Sequence, residues 1–210
     1  MIKKEISGAK TERRKLKMAT KSLAGFSLLL GLDNTKDNKV DLGHHNVYFP
    51  ENYDAEFDEI FTKKVPVSDP TIYICAPKDN SMVKGEDKES WFVLVNAPRH
   101  DPENGWDWNI GGDKYAEKIV KKLDHLGLNV SNRLDCMKFR TPADLENYAL
   151  APGGSIYGTS SNSAASAFLR ARNRSKINGL FCVGGSAHPG GGLPLVGISA
   201  EIVANAIGKA

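Results

Sequence analysis

The apolar positions of this chain fall into blocks separated by polar, turn-forming stretches, and the period within each block predicts an element. Residues 22–32 are nearly all apolar or small and read as a buried strand. Residues 33–46 are polar and turn-rich. Tyr53, Phe57, Ile60 and Phe61 recur at spacings of four, three and one, which suits a short amphipathic helix after Pro50. Residues 71–75 are β-rich and bounded by Pro70 and Pro77, so a strand is expected. A charged loop at 78–90 precedes a second strong strand, Trp91-Phe-Val-Leu-Val95, which Asn96-Ala-Pro98 ends.

Tyr115, Ile119, Val120, Leu123 and Leu126 form one apolar face of a helix over 113–126, and Gly127 stops it as a left-handed cap residue would. A strand is expected over 133–140. Thr141-Pro-Ala-Asp144 has the chemistry of a helix start: a capping hydroxyl, a proline at the first position and an acid in the first turn. Pro152-Gly-Gly154 keeps that helix short. Residues 153–175, rich in Gly, Ser and Asn, predict a long loop. Gly179-Leu-Phe-Cys-Val-Gly184 reads as a short buried strand. Leu193–Ile207 reads as a mostly buried helix, because its polar positions Glu201 and Asn205 share one narrow stripe. No internal repeat is present.

Composition narrows the class. The 210 residues are 40% hydrophobic and 25% charged, ordinary globular usage that excludes a disordered tail, a collagen rod or a coiled coil. The net charge of +3 hides an asymmetry. Residues 1–21 carry eight Lys/Arg against two Glu, and the remainder is acidic on balance. The body is therefore not a nucleic-acid binder. The arm reads as a solvated, mobile tail, with attraction to anionic lipid as the sharper reading. The basic stretch followed by 22–32 mimics an export signal, but the charged part is long and no small-x-small cleavage site follows. No apolar run approaches the length of a membrane span. Three widely spaced cysteines, Cys75, Cys136 and Cys182, support neither a disulfide framework nor a zinc ribbon; they read as small buried hydrophobes in a reducing cytoplasm.

The strand–glycine turn–helix at 180–207 is the most informative segment for chemistry. Three glycines remove every β-carbon where the helix begins, so a ligand can approach the backbone closely. The free amides of Gly190, Gly191, Gly192 and Leu193 would point outward at the positive end of the helix, suiting phosphate or another electron-rich group. No lysine follows the glycines, so this is not an NTP-binding P-loop. A plain packing turn is the alternative reading. His188 serves as an acid–base group, a cofactor contact or a turn residue, and no carboxylate stands near it in sequence. His44 and His45 are set aside as metal ligands, because neighbours on a strand point to opposite faces; no metal is expected. Trp106 and Trp108 are read as core or rim packing ahead of a substrate lining. No catalytic residue is assigned.

Gly184-Gly-Ser-Ala-His-Pro-Gly-Gly-Gly-Leu-Pro-Leu-Val196 resembles the carboxy-terminal signature of the bacterial-type phytoene desaturases, carotenoid desaturases related to flavin amine oxidases. His44-His-Asn-Val-Tyr-Phe49, Asp69-Pro-Thr-Ile-Tyr73, Trp91-Phe-Val-Leu-Val-Asn-Ala-Pro98, Thr141-Pro-Ala-Asp-Leu-Glu146 and Gly154-Ser-Ile-Tyr-Gly158 resemble the same family in order, closest to its hydroxycarotenoid 3,4-desaturase branch. The likeness runs from about residue 22 to the end. It implies noncovalent FAD, an apolar polyene substrate drawn from a membrane, and removal of two hydrogens from a saturated C–C bond with hydride passing to flavin. By the same resemblance, His188, Pro189, Gly190, Gly191, Gly192 and Leu193 would lie against FAD, and Gly184 and Gly185 would end the strand that delivers them.

The family opens with a βαβ unit carrying GxGxxG, and these 210 residues contain no such fingerprint. The resemblance therefore implies the carboxy-terminal part of a two-domain, glutathione-reductase-like flavoprotein, α+β in class, with a mixed sheet and flanking helices. It divides the chain into a basic arm (1–21), a substrate-side domain (22–175) and a returning strand–turn–helix of the FAD domain (176–210). The FAD site would be incomplete in this chain. Its partners would be a carotenoid, a polypeptide carrying the GxGxxG unit and the inner face of the cytoplasmic membrane, with no nucleic acid. The competing expectations are a remnant without activity that serves as a binding or assembly module, and a flavin-dependent relative acting on amines or retinoids.

Overall fold

One long strand organises the fold. β1, Ala24–Asp33, lies inside a five-stranded sheet of order β2-β3-β4-β1-β5. The other four strands are β2 (His45–Tyr48), β3 (Ile72–Cys75), β4 (Lys88–Ala97) and β5 (Leu134–Arg140). The computed structural model describes residues 9–35, 40–83, 85–160 and 170–208. It divides into two compact units, 23–155 and the discontinuous pair 1–22 with 156–210.

Every pairing in the sheet is antiparallel. This corrects the expected mixed sheet: the helical crossover from β4 to β5 joins parallel strands, but β1 lies between them and runs opposite to both. β1 pairs with β4 along its whole length, Phe26 facing Val95 and Leu30 facing Trp91. Its other edge pairs with β5, and the register slips between Gly31 and Leu32. At Gly31 a β-carbon would stand 2.6 Å from the Cys136 sulfur, so the bare backbone permits this approach.

β1 is buried on one face only, which corrects the fully buried strand expected from its run of leucines. Phe26, Leu28, Leu30 and Leu32 point into the core with Trp91, Val93, Val95, Ile72 and Ile74. Leu29 points the other way and is 46% exposed. An antiparallel sheet can leave one face uncovered in this way. β4 also begins earlier than expected, taking Lys88–Ser90 from the charged loop.

α3, Gly112–His125, covers the inner face through Tyr115, Ala116, Ile119, Val120 and Leu123. The period of its apolar positions fixes that face, and Gly127 ends it at φ +79°. An aromatic group fills the space between helix and sheet. Phe26 meets Tyr115 edge-on at 5.0 Å and Trp108 at 5.4 Å, while the Trp108 indole N–H donates to the Pro98 carbonyl at 2.9 Å. Trp108 is thus core, as its sequence reading favoured.

Two buried charged groups tie the edges. α2, Tyr53–Phe57, runs into a wider turn over Asp58–Lys63 and carries Glu56, only 1% exposed. Its carboxylate accepts from the Thr71 amide (2.9 Å), the Thr71 hydroxyl (2.6 Å) and the Asn96 side-chain amide (2.9 Å). Burial, with Glu56 and Glu59 nearby, pushes the Tyr115 phenol far above its ordinary range. Arg133, at the end of α4 (Val130–Arg133), is fully buried, lies over the Trp91 ring at 5.0 Å and donates to Asn34 Oδ1 at 2.7 Å.

α5, Pro142–Ala149, starts as its sequence prescribes. Thr141 and Asp144 form a reciprocal capping box, with Pro142 in the first turn. It leads into the turn Pro152–Gly154, where Gly153 and Gly154 both take positive φ.

Asp33, at the end of β1, gives this unit a pH dependence. The Thr35 hydroxyl (2.6 Å) and amide (2.9 Å), with Lys88 Nζ at 3.0 Å, hold its carboxyl well below the ordinary 3.8. A carboxyl more acidic in the folded state stabilises fully above its unfolded value, and this support is lost as pH falls below it. Acid titration of urea stability should therefore fall below about pH 4, and Asp33→Asn should flatten that part of the curve. An unchanged slope in the variant would assign the acid sensitivity elsewhere.

The second unit differs from expectation in three places. The basic arm contains a helix, α1 (Ala9–Met18), and the chain after it is pinned: the Ser22 amide donates to the Gly158 carbonyl at 3.0 Å and the Ser160 amide to the Thr20 carbonyl at 2.8 Å. Residues 1–8 of the arm and 161–169 of the expected loop lie outside the described residues. No strand forms over 179–184. Gly179 and Gly184 take positive φ at its two ends, and only one isolated bridge, Arg174 to Phe181, remains. Finally α6, Leu193–Ile207, is helical as expected but mostly exposed. Only Ser199 and Val203 are buried, because the described residues of this unit cover a single stripe of it.

Candidate functional site

The segment leading into the glycine turn is held by two side chains. Asn173 is buried, and its amide nitrogen lies within hydrogen-bond reach of the Cys182 carbonyl (3.1 Å), the His188 carbonyl (2.9 Å) and the Ser199 hydroxyl (2.9 Å). The Asn173 carbonyl accepts the Cys182 amide at 2.7 Å. Ser199 Oγ, on the buried stripe of α6, also accepts the Gly184 amide at 3.2 Å. Asn173 and Ser199 thus fix the segment 182–188 against the helix. Sequence reasoning passed over both, since their partners stand up to 26 residues away and no local motif marks them.

Each expected site residue has a definite place. Gly184 turns at φ +111° and its carbonyl accepts the Ala187 amide at 3.0 Å. Gly185 packs within 3.4 Å of the Gly191 α-carbon, measured from where a β-carbon would sit. Its carbonyl accepts from Arg170 Nη1 at 3.1 Å, and the same nitrogen donates to the Tyr157 carbonyl at 2.9 Å. The His188 amide donates to Ala171 O at 2.9 Å, and a cis bond joins His188 to Pro189. The His188 ring is exposed and meets no carboxylate among the described residues.

The four residues Gly190–Leu193 divide into two pairs. Gly190 is buried beside Arg170 and Leu195, and the Tyr157 ring occupies the space where a β-carbon of Gly191 would stand, 1.8 Å from that position. Gly192, the residue before α6, has φ +97° and open space around its missing β-carbon. Leu193 is 88% exposed. Among the described residues no acceptor takes the amides of Gly190, Gly191, Gly192 or Leu193. The donors open to a ligand are therefore those at Gly192 and Leu193, at the start of a 15-residue helix with no acid in its first turn. That donor set fits an anionic or electron-rich ligand such as the FAD implied by the resemblance. Arg170, unremarked in the sequence, and Tyr157, marked there only as part of a family-like motif, narrow the accessible wall.

The other unit offers a second kind of surface. The uncovered sheet face carries Leu29, Val47 and Phe92, all exposed, with Leu94 and Tyr73 half-buried. Next to it lies an open cavity of ≈ 380 Å³, whose lining includes Leu29, Met82, Val83 and Met137. This face can accept an apolar ligand, and the Lys88–Asp135 ion pair (3.1 Å) lies in the lining of the adjoining cavity.

Comparison with known proteins places the chain. It is 39% identical over 166 residues to the 1-hydroxycarotenoid 3,4-desaturase of Flavobacterium sp., covering 78% of this chain and 33% of that protein. The hydroxyneurosporene desaturase of Rubrivivax gelatinosus is 32% identical over 87% of the chain and 35% of its own length. The zeta-carotene-forming phytoene desaturase of Myxococcus xanthus is 34% identical over 93% of the chain and 37% of its own length. Over this span the chain is similar to carotenoid desaturases. No family model matches it. The chain spans about a third of the length of these carotenoid desaturases. Among the described residues, no helix is long and apolar enough to cross a membrane.

Proposed function

We propose that this chain forms part of an FAD-dependent carotenoid desaturase that removes two hydrogens from an apolar polyene. The observation that carries the reading is the 39% identity to a hydroxycarotenoid desaturase across more than three quarters of the chain. The open amides at Gly192 and Leu193 and the uncovered apolar sheet face support it.

FAD, when bound, supplies the hydride acceptor. The chain's residues bind and orient. Gly192 and Leu193 would donate backbone hydrogen bonds to the cofactor, and Gly184, Gly185, His188, Pro189, Gly190 and Gly191 would hold the turn that aims them. Tyr157 would limit how deeply the cofactor enters. Leu29, Val47, Phe92 and Leu94 would take up polyene and exclude water from it. We place the division of labour at 22–175 for substrate and 176–210 for cofactor, with the basic arm directed to anionic lipid at the inner membrane face.

The remaining two thirds of the relatives' length would supply the diphosphate-binding GxGxxG unit as a two-domain, glutathione-reductase-like flavoprotein. The exposed apolar residues of α6, Leu193, Ile198, Ile202 and Ile207, favour such a partner surface. In a carotenoid-accumulating host, this chain together with a polypeptide carrying that unit should yield redder pigment and a complex that keeps about one flavin through gel filtration. The chain alone should give neither. Stoichiometric flavin on the lone chain would refute the incomplete site, and a stable complex without flavin or pigment would refute the desaturase.

A further inference from the structure

We propose that His44, His45 and Cys75 bind one Zn²⁺-type transition-metal ion at the β2 edge of the sheet. This inference stands independently of the flavin reading.

The register supplies the first pair. His45 on β2 lies directly opposite Cys75 on β3, so both side chains leave the same face of the sheet. His44 would leave the opposite face if it continued the strand, which is why the sequence argues against joint ligation. It does not continue the strand. β2 begins at His45, and His44 occupies the bend before it, its carbonyl accepting the Ala76 amide at 2.8 Å. The bend swings its ring beside that of His45, centroids 4.4 Å apart and tilted by 49°. One ligand atom from each of the three residues falls within 4.8 Å of the other two.

The chemistry selects the ion. Two imidazoles and a thiolate suit Zn²⁺ and its neighbours among the late transition metals. No carboxylate belongs to the group, which disfavours Ca²⁺ and Mg²⁺. His45 Nδ1 lies 2.8 Å from the Tyr73 hydroxyl, so Nε2 is the ring nitrogen without that partner. A partner on the second ring nitrogen is the usual device that orients a ligating histidine. Three protein ligands leave a fourth position to water. On binding, the Cys75 thiol gives up its proton to solvent and its sulfur bonds the metal, with no change of oxidation state. Both histidines are exposed and Cys75 is half-buried, so an ion can enter from solution. The ion would clip the edge strand β2 to β3.

The test uses the untagged full chain, stripped by chelator and titrated with Co²⁺, followed by Zn²⁺. The expected result is one Co²⁺ per chain, with a thiolate-to-cobalt charge-transfer band that Zn²⁺ abolishes. Cys75→Ser should lose the band, and His44→Ala and His45→Ala should each weaken binding roughly tenfold or more. On the unaltered chain, Zn²⁺ should slow iodoacetamide labelling of Cys75 while leaving Cys136 and Cys182 unaffected, as read by peptide mass. That measurement holds even where a variant fails to fold. Absence of the charge-transfer band, or equal labelling of Cys75 with and without Zn²⁺, would overturn the proposal.

Discussion

Glu56→Ala is expected to cost the sheet unit about 3–5 kcal/mol, read as a shift in the urea midpoint with an unchanged slope. The carboxylate is almost wholly buried and accepts three donors from two residues, Thr71 and Asn96. Removing it strands the Thr71 amide and hydroxyl where β3 begins, and the Asn96 amide near the end of β4. Buried donors without acceptors carry their whole desolvation cost, whereas exposed side chains lose little when truncated. Glu56→Gln keeps the volume and one acceptor oxygen, so it should recover part of the loss. A cost below about 1 kcal/mol for the alanine variant would mean that water replaces the carboxylate.

Gly154→Ala should be at least as damaging, and Gly111→Ala provides its contrast. Both glycines take positive φ, +66° and +84°. At Gly111 nothing lies within 4 Å of an added β-carbon, so alanine there should cost only about 1–2 kcal/mol of conformational strain. At Gly154 the added carbon would sit 2.1 Å from the Pro142 carbonyl oxygen. That oxygen belongs to the backbone at the start of α5 and cannot rotate away, so the helix or the turn must move. We expect a loss on the order of 4 kcal/mol or more, seen as a collapse in soluble yield and a lowered Tm. Equal melting temperatures for the two variants would show that the turn yields freely.

The contrast between legible and illegible elements follows the range of the forces involved. β4 and α3 were readable because their own side chains specify both period and face. The capping box at Thr141 was readable because all its parts lie within four residues. β2 was not, since Val47 and Tyr48 alone are too short a run to mark a strand, and this edge strand is held by backbone bonds from β3. The burial of α6 was misread because apolarity on all sides says what a helix tolerates, not what the rest of its unit supplies. At the candidate site the glycine run showed itself by spacing. The Asn173–Ser199 clasp and the Tyr157 ring over Gly191 are contacts between distant segments that no window of sequence contains.

The discontinuous unit bears on how the protein is made. Its first segment, residues 1–22, leaves the ribosome long before the partners of Thr20 and Ser22 at Ser160 and Gly158 exist. The sheet unit, contiguous over 23–155, can close during translation, because domains generally fold as their chain emerges. The amino-terminal segment must wait for synthesis to pass it by well over a hundred residues. In that interval the nascent chain presents a cationic segment to whatever surface is nearby.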